Sequence, residues 1–210
     1  MIKSKSRKGW FGASDTAMIM GNWNTATFRK WWLVKLGVAE NNFTNRQMAA
    51  GTAYEHRILH AVGVFDTDRQ IRCRRLRLLV NLDGETREEV SEVKTHGNAV
   101  FKISKAYWMQ AQVEMFATRK KLRIVAYRLT DEEYKNYFIP IDAARISYHP
   151  IKYDPAWIED AYLPRLVYLA YCLRKGKMPD ACEIEGYVNR LGKPKADRFF
   201  RDRLRLFRRV

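Results

Sequence analysis

The chain has 210 residues, with 39 Lys and Arg against 23 Asp and Glu, a formal charge of +16. Its 47% hydrophobic and 13% aromatic content excludes a disordered basic tail protein, which could not bury enough surface to offset chain entropy. Three zones hold the excess charge: residues 1–8 carry +4, residues 69–77 carry +5 and residues 190–210 carry +7. Such concentration, interleaved with aromatics, points to a polyanion, and to nucleic acid ahead of a membrane surface.

In chain order, Ser14-Asp15 opens a short helix that stops at Gly21. A second helix starts at Thr25 or Thr27 and ends before Gly37. The third, about Asn45 to Val62, ends at Gly63. The period then changes: Leu76, Leu78, Val80 and Leu82 alternate with other residues, which predicts a strand with one buried face. Asp83-Gly84 reads as a turn, with Glu89–Thr95 as the returning strand. Ser104 caps a helix running to about Thr118. Strands follow near Leu122–Leu129 and Asn136–Ile141. A long helix spans roughly Pro155–Arg174, with Pro155 suited to its first turn. The order predicts a mixed α/β (α+β) domain over residues 1–190, its helices flanking a modest central sheet. Residues 191–210 form a basic tail, in which Ala196, Phe200, Leu204 and Phe207 would share one face of a helix starting at Lys195.

No apolar run reaches the ~18 residues of a membrane span, because Pro164 and Arg165 interrupt the best stretch. The basic N-terminus lacks a secretory apolar segment, so a cytoplasmic location is expected. Cys73, Cys172 and Cys182 sit at unrelated spacings, which predicts reduced thiols.

Chemistry concentrates in four pieces. These are Gly51-x-x-x-Glu55 on the third helix, Asn81-Leu82-Asp83-Gly84, Ser91-Glu92-Val93-Lys94-Thr95, and an aromatic–glutamine helix. Glu92 and Lys94, two apart on a strand, project from one face, and Asp83 lies within reach across the hairpin. Two carboxylates with a lysine suit a hard cation that hydrolyses phosphodiesters. Mg²⁺ takes oxygen ligands and retains waters, so one or two protein carboxylates and a substrate phosphate complete its shell. The ammonium can orient the attacking water or help deprotonate it. Singly, D-G is a common hairpin turn and E-V-K an ordinary surface ion pair; the ordered set is the signal. His56 and His60 have the i, i+4 spacing of a zinc pair, without H-E-x-x-H. Trp31 and Trp32 read as core. Trp23 reads as core or as a base-stacking wedge.

W-F-G-A-S-D-T-A-M-I-M-G, M-A-A-G-T-A-Y-E, V-N-L-D-G, S-E-V-K-T and Y-W-M-Q-A-Q-V-E-M-F-A-T, in that order, resemble the YqaJ/lambda-type phage alkaline exonucleases of the PD-(D/E)XK nuclease superfamily. The resemblance implies a restriction-endonuclease-like core with a central mixed sheet. It implies Mg²⁺ or Mn²⁺ held by Asp83, Glu92, Glu55 and the Val93 carbonyl, with Lys94 and Gln110 catalytic. It places the substrate's 5′-phosphate on Ser14 and Arg7; the charge pattern adds Arg72, Arg74 and Arg75 as DNA contacts. It implies a 5′→3′ exonuclease on double-stranded DNA in phage or prophage recombination. A homotrimer, a single-strand annealing partner and the bacterial host cytoplasm follow on the same ground. Leu82 stands where the family motif has proline, and only six residues precede Arg7. An endonuclease or nickase on the same core, or a non-catalytic DNA-binding protein, are the other readings.

Overall fold

The computed structural model describes residues 8–40, 45–192 and 194–200. After a 3-10 turn at Ala13–Asp15 come α1 (Thr16–Met20), α2 (Ala26–Leu36) and α3 (Arg46–Ala61). Three strands follow, β1 (Asp66–Cys73), β2 (Leu78–Glu85) and β3 (Glu89–His96), then α4 (Lys105–Thr118), β4 (Lys121–Arg128) and β5 (Ile146–Ile151). A short α5 (Pro155–Trp157) passes through a π-helical turn, Ile158–Tyr162, into α6 (Leu163–Lys175). Last come α7 (Ile184–Leu191) and α8 (Ala196–Phe200). Among the described residues no helix is long and apolar enough to cross a membrane.

The fold is mixed α+β. Its sheet runs β1-β2-β3-β4-β5, with β3 and β4 parallel and the other neighbours antiparallel. The parallel pair requires a crossover, and α4 supplies it. Alternation along the strands feeds two cores. Leu78, Val80, Leu82, Val90 and Ile124 join side chains from α1, α2, α4 and α6. Val93, Val125 and Tyr127 pack with Ala50, Tyr54, Ile58 and Leu59 of α3.

Side-chain caps explain several helix starts. Thr25, rather than Thr27, caps α2 by accepting from Phe28 N at 3.1 Å. Asn45 caps α3 through Met48 N at 2.8 Å, and Ser104 caps α4 through Tyr107 N at 3.1 Å. Trp23 is core: its ring stacks on Phe28 and Tyr168, and its Nε1 donates to Ile19 O at 3.0 Å.

Three expectations need correction. Asp83 and Gly84 are strand residues in β2, and the chain turns instead at Thr86–Glu88, where Thr86 Oγ1 accepts from Glu89 N at 3.1 Å. Gly84 serves packing, because a Cβ there would stand 2.7 Å from Leu59 Cδ2 and 2.8 Å from Val64 Cγ1. The segment 136–141 is not a strand. Its carbonyls at Asn136, Tyr137 and Ile139 accept from Tyr54 and Arg57, while β5 takes the edge of β4. The strand expected from Leu76 begins at Leu78, with Leu76 in the turn before it, and the arginine-rich stretch 69–77 is half strand, as β1 runs to Cys73. Of the basic tail, α8 packs inward, with Ala196 and Phe199 buried in the larger core; residues 201–210 lie outside the described residues.

Candidate active site

β2 and β3 pair only at Gly84↔Ser91 and Glu85↔Val90, while β3 stays paired with β4 along its length. The next residues towards the open end of that fork are Asp83 and Glu92. Strands that part leave backbone donors needing partners. Val93 N finds one in Asp83 Oδ2, at 2.9 Å. The bond ties the carboxylate on one strand to the main chain of the other.

A second network joins β3 to α4. Lys94 Nζ donates to Glu92 Oε1 at 2.7 Å and faces Gln110 Oε1 at 3.4 Å. Gln110 Nε2 donates to Glu92 Oε1 at 2.5 Å and to Glu114 Oε1 at 2.8 Å. Lys94 Nζ also lies 4.9 Å from the centre of the Tyr107 ring, within cation–π range. Glu92 and Glu114 are buried and close enough to share a proton, and with both ionised the Oε2 atom of each has no hydrogen-bond donor among the described residues. Buried carboxylate oxygens normally have partners, so one without a donor at this fork suits a cation.

Crowded acids set the electrostatics. Burial, then the charges of Glu92 and Glu55, push the Asp83 carboxyl well above its usual range. Burial and Glu92 do the same to Glu114. Burial alone would lower the Lys94 pKa, but the charges of Glu92 and Asp83 outweigh it and hold Lys94 above the usual lysine range. Lys94 is therefore an ammonium donor in this arrangement.

Glu55 reaches the site from α3. Burial, then Glu92, raise its carboxyl. A Cβ at Gly51 would stand 3.4 Å from Thr95 Oγ1, so α3 lies close to β3 without depending on glycine. Glu55, His56 and Asp68 offer ligand atoms all within 4.8 Å of one another, with His56 Nε2 3.1 Å from Asp68 Oδ2. His60 instead lies beside the Phe65 ring, 5.3 Å between centres, so the two histidines have separate neighbours. A cleft of about 1170 Å³ runs past Arg46, Gly51, Glu55, Lys94, Tyr107 and Tyr134.

Glu55, Asp83, Glu92, Val93, Lys94 and Gln110 are thus neighbours around one fork. Glu114 and Asp68 escape a reading of the sequence, since nothing local marks an acid that meets its partner only after folding. The i, i+4 spacing of Gln110 and Glu114 is the one available signal.

Of the anticipated anion contacts, Ser14 sits in the 3-10 turn Ala13–Asp15, which packs against α4 and β2. Ser14 is exposed beside Asp15, whose carboxylate accepts from Gly12 N at 2.6 Å, Trp31 Nε1 at 2.9 Å and Lys35 Nζ at 2.5 Å. Arg7 lies outside the described residues. Arg72 donates to Gln70 Oε1, and Arg74 and Arg75 occupy the turn after β1. That turn adjoins Leu78, five residues before Asp83 in β2, or roughly 17 Å along the strand. A groove of about 470 Å³ there is lined by Arg74, Arg75, Arg174, Arg198 and Tyr187, among others.

No protein-family model matches the chain, and no curated protein does. Solved structures do. An alkaline exonuclease from Laribacter hongkongensis aligns with a TM-score of 0.60 at 20% identity, over 88% of this chain and 94% of that one. A phage-related exonuclease from Haemophilus somnus 129PT aligns at 0.56 and 14% identity, over 87% and 96%. The chain has the fold of these exonucleases over nearly its whole length.

Proposed function

We propose that the protein is a metal-dependent nuclease that hydrolyses phosphodiesters of double-stranded DNA from a 5′ end. The observation that carries this reading is the fork between β2 and β3, where Asp83, Glu92 and Lys94 meet with a buried carboxylate oxygen that, when ionised, has no protein donor among the described residues. Two proteins that share the fold are described as exonucleases, which supports the same chemistry here.

The donor set fits a hard divalent cation: carboxylates of Asp83, Glu92 and Glu55, with the Val93 carbonyl. Bound there, Mg²⁺ or Mn²⁺ would polarise the phosphoryl oxygen and make water a better nucleophile. The chain's residues do the rest. Lys94 offers its ammonium to the attacking water or to a phosphate oxygen, where fixed positive charge offsets the negative charge that develops. Gln110 presents its amide oxygen beside Lys94 and holds Glu92 in place. The basic faces, with Arg72, Arg74 and Arg75, hold the phosphate backbone irrespective of sequence. Ser14 and Arg7 would receive the 5′-phosphate. By resemblance the reading extends to recombination of phage or prophage DNA in a bacterial cytoplasm, a homotrimer, and a single-strand annealing partner.

The test compares end-labelled linear duplex with nicked and closed circles, in Mg²⁺, in Mn²⁺ and in EDTA. Progressive shortening from 5′ ends, absent in EDTA and on closed circles, is the expected result. Cleavage of closed circles would replace the exonuclease with an endonuclease on the same core. No cleavage with either metal would refute the nuclease.

A further inference from the structure

Glu114 is a carboxylate for which the proposed chemistry has no direct use. It lies on α4 one turn beyond Gln110, fully buried, and cannot meet DNA. A buried acid seldom adds stability; an apolar residue of similar volume often serves as well or better. Its contacts indicate another role. Gln110 Nε2 donates to Glu114 Oε1 at 2.8 Å and to Glu92 Oε1 at 2.5 Å, while Gln110 Oε1 faces Lys94 Nζ at 3.4 Å.

A carboxamide has nearly the same shape when turned over. Turned over here, its NH₂ group would point at the Lys94 ammonium and its oxygen at Glu92 Oε1 and Glu114 Oε1, the acceptor oxygens of the two acids, losing all of these hydrogen bonds. With Glu92 free, Glu92, Glu114 and Lys94 all oppose that flip. Once Glu92 serves a cation, its hold on the amide weakens, and Glu114 remains with Lys94. We propose that Glu114 is a positioning residue: it fixes the orientation of the Gln110 amide so that the amide oxygen stays directed at Lys94. The consequence for turnover rests on the nuclease reading; the orientation does not.

The test uses the full chain with Glu114→Met and Glu114→Gln. Methionine fills the space and cannot accept the Gln110 hydrogen bond, whereas glutamine keeps an acceptor oxygen. Three quantities are measured: the thermal midpoint, the paired NMR signals of the Gln110 side-chain NH₂, and kcat and KM on linear duplex with Mg²⁺. Glu114→Met is expected to melt at or above the parent's temperature and to shift or merge the Gln110 amide pair. Its kcat should fall roughly 10–100-fold, the scale of a misplaced group, with KM unchanged. Glu114→Gln should restore both the amide signals and kcat. A purely structural role would instead make activity follow the thermal midpoint in both variants, and that result overturns the proposal. So does a Glu114→Met variant with parental amide signals. If the parent itself cleaves nothing, the nuclease reading fails, and the amide signals alone decide the role of Glu114.

Discussion

Asp83 and Glu92 are held in different ways, and their substitutions should fail differently. Asp83 caps Val93 N, so Asp83→Ala leaves a buried donor unpaired, at about 1–3 kcal/mol. Glu92 instead crowds other acids: its charge helps raise Asp83, Glu55 and Glu114. Glu92→Gln should therefore abolish cleavage without lowering the melting temperature, while Asp83→Ala lowers both. DNA binding in EDTA should survive in each, and a filter-binding titration beside thermal unfolding checks this. A second residue-scale expectation concerns Glu133, which is buried and bonded to Arg145, Tyr127 and Thr130. Burial opposes its charge, but these donors outweigh burial and lower its pKa from an ordinary 4.5 to about 2. A depressed carboxyl stabilises the fold fully above its unfolded pKa. That contribution is lost as pH falls from about 4.5 towards 2. Glu133→Gln should cost about 3 kcal/mol at neutral pH, as breaking one side of a buried pair does, and should flatten the acid limb of the unfolding profile. At this scale the site was partly legible. Glu92 and Lys94 announce themselves through period-2 spacing, and Gln110 through the motif around it. Asp68 and Glu114 gain meaning only from partners that folding brings close.

Among the elements, β1, one of the two strands the sequence does not announce (β5 is the other), and the strand expected at 136–141 share one cause: periodicity records burial, not pairing. β1 is polar and half-exposed along most of its length, so it carries no apolar alternation, yet it pairs with β2 through seven registered positions. Tyr137, Ile139 and Ile141 do alternate, and two of them pack on the smaller core. Side chains of α3 nevertheless claim the carbonyls that a ladder would need. Gly84 shows the same gap, since a D-G pair signals a turn locally while the contact with Leu59 and Val64 is remote. That contact has a functional edge because Leu59 shares α3 with Glu55. Gly84→Ala forces the buried Leu59 and Val64 side chains to give way, at about 1–3 kcal/mol for an overpacked site. It should lower kcat beyond what the lost stability explains, which assays well below the melting temperature would reveal.

At the scale of the molecule, among the described residues, one arginine cluster stands apart from the acids. The acids gather at the fork, whereas Arg74, Arg75, Arg174 and Arg198 gather around a groove by the β1–β2 turn. Removing arginines there should weaken DNA binding without touching the proposed metal ligands. Each lost phosphate contact should reduce the slope of log K against log salt by roughly 0.9 on B-form DNA. Arg74→Ala with Arg75→Ala is expected to show this shallower slope, while the Mg²⁺ concentration for half-maximal cleavage stays constant. An unchanged slope would mean that these arginines only solvate the turn. Overall charge was readable at once; its distribution in space depended on β1 folding back along β2.

The bond between Val93 N and Asp83 also bears on which substitutions the site can absorb. What position 93 offers the fork is main chain: an N–H for Asp83 and, in the proposed function, a carbonyl for the cation. Its side chain points the other way, into the smaller core with Tyr54 and Val125. The chemistry at this position is therefore insulated from sequence drift, since every amino acid but one carries the same two backbone groups. Val93→Ile should remain active, as any apolar residue that fits the core should. Proline alone deletes the donor, so Val93→Pro should release the Asp83 carboxylate and silence the site.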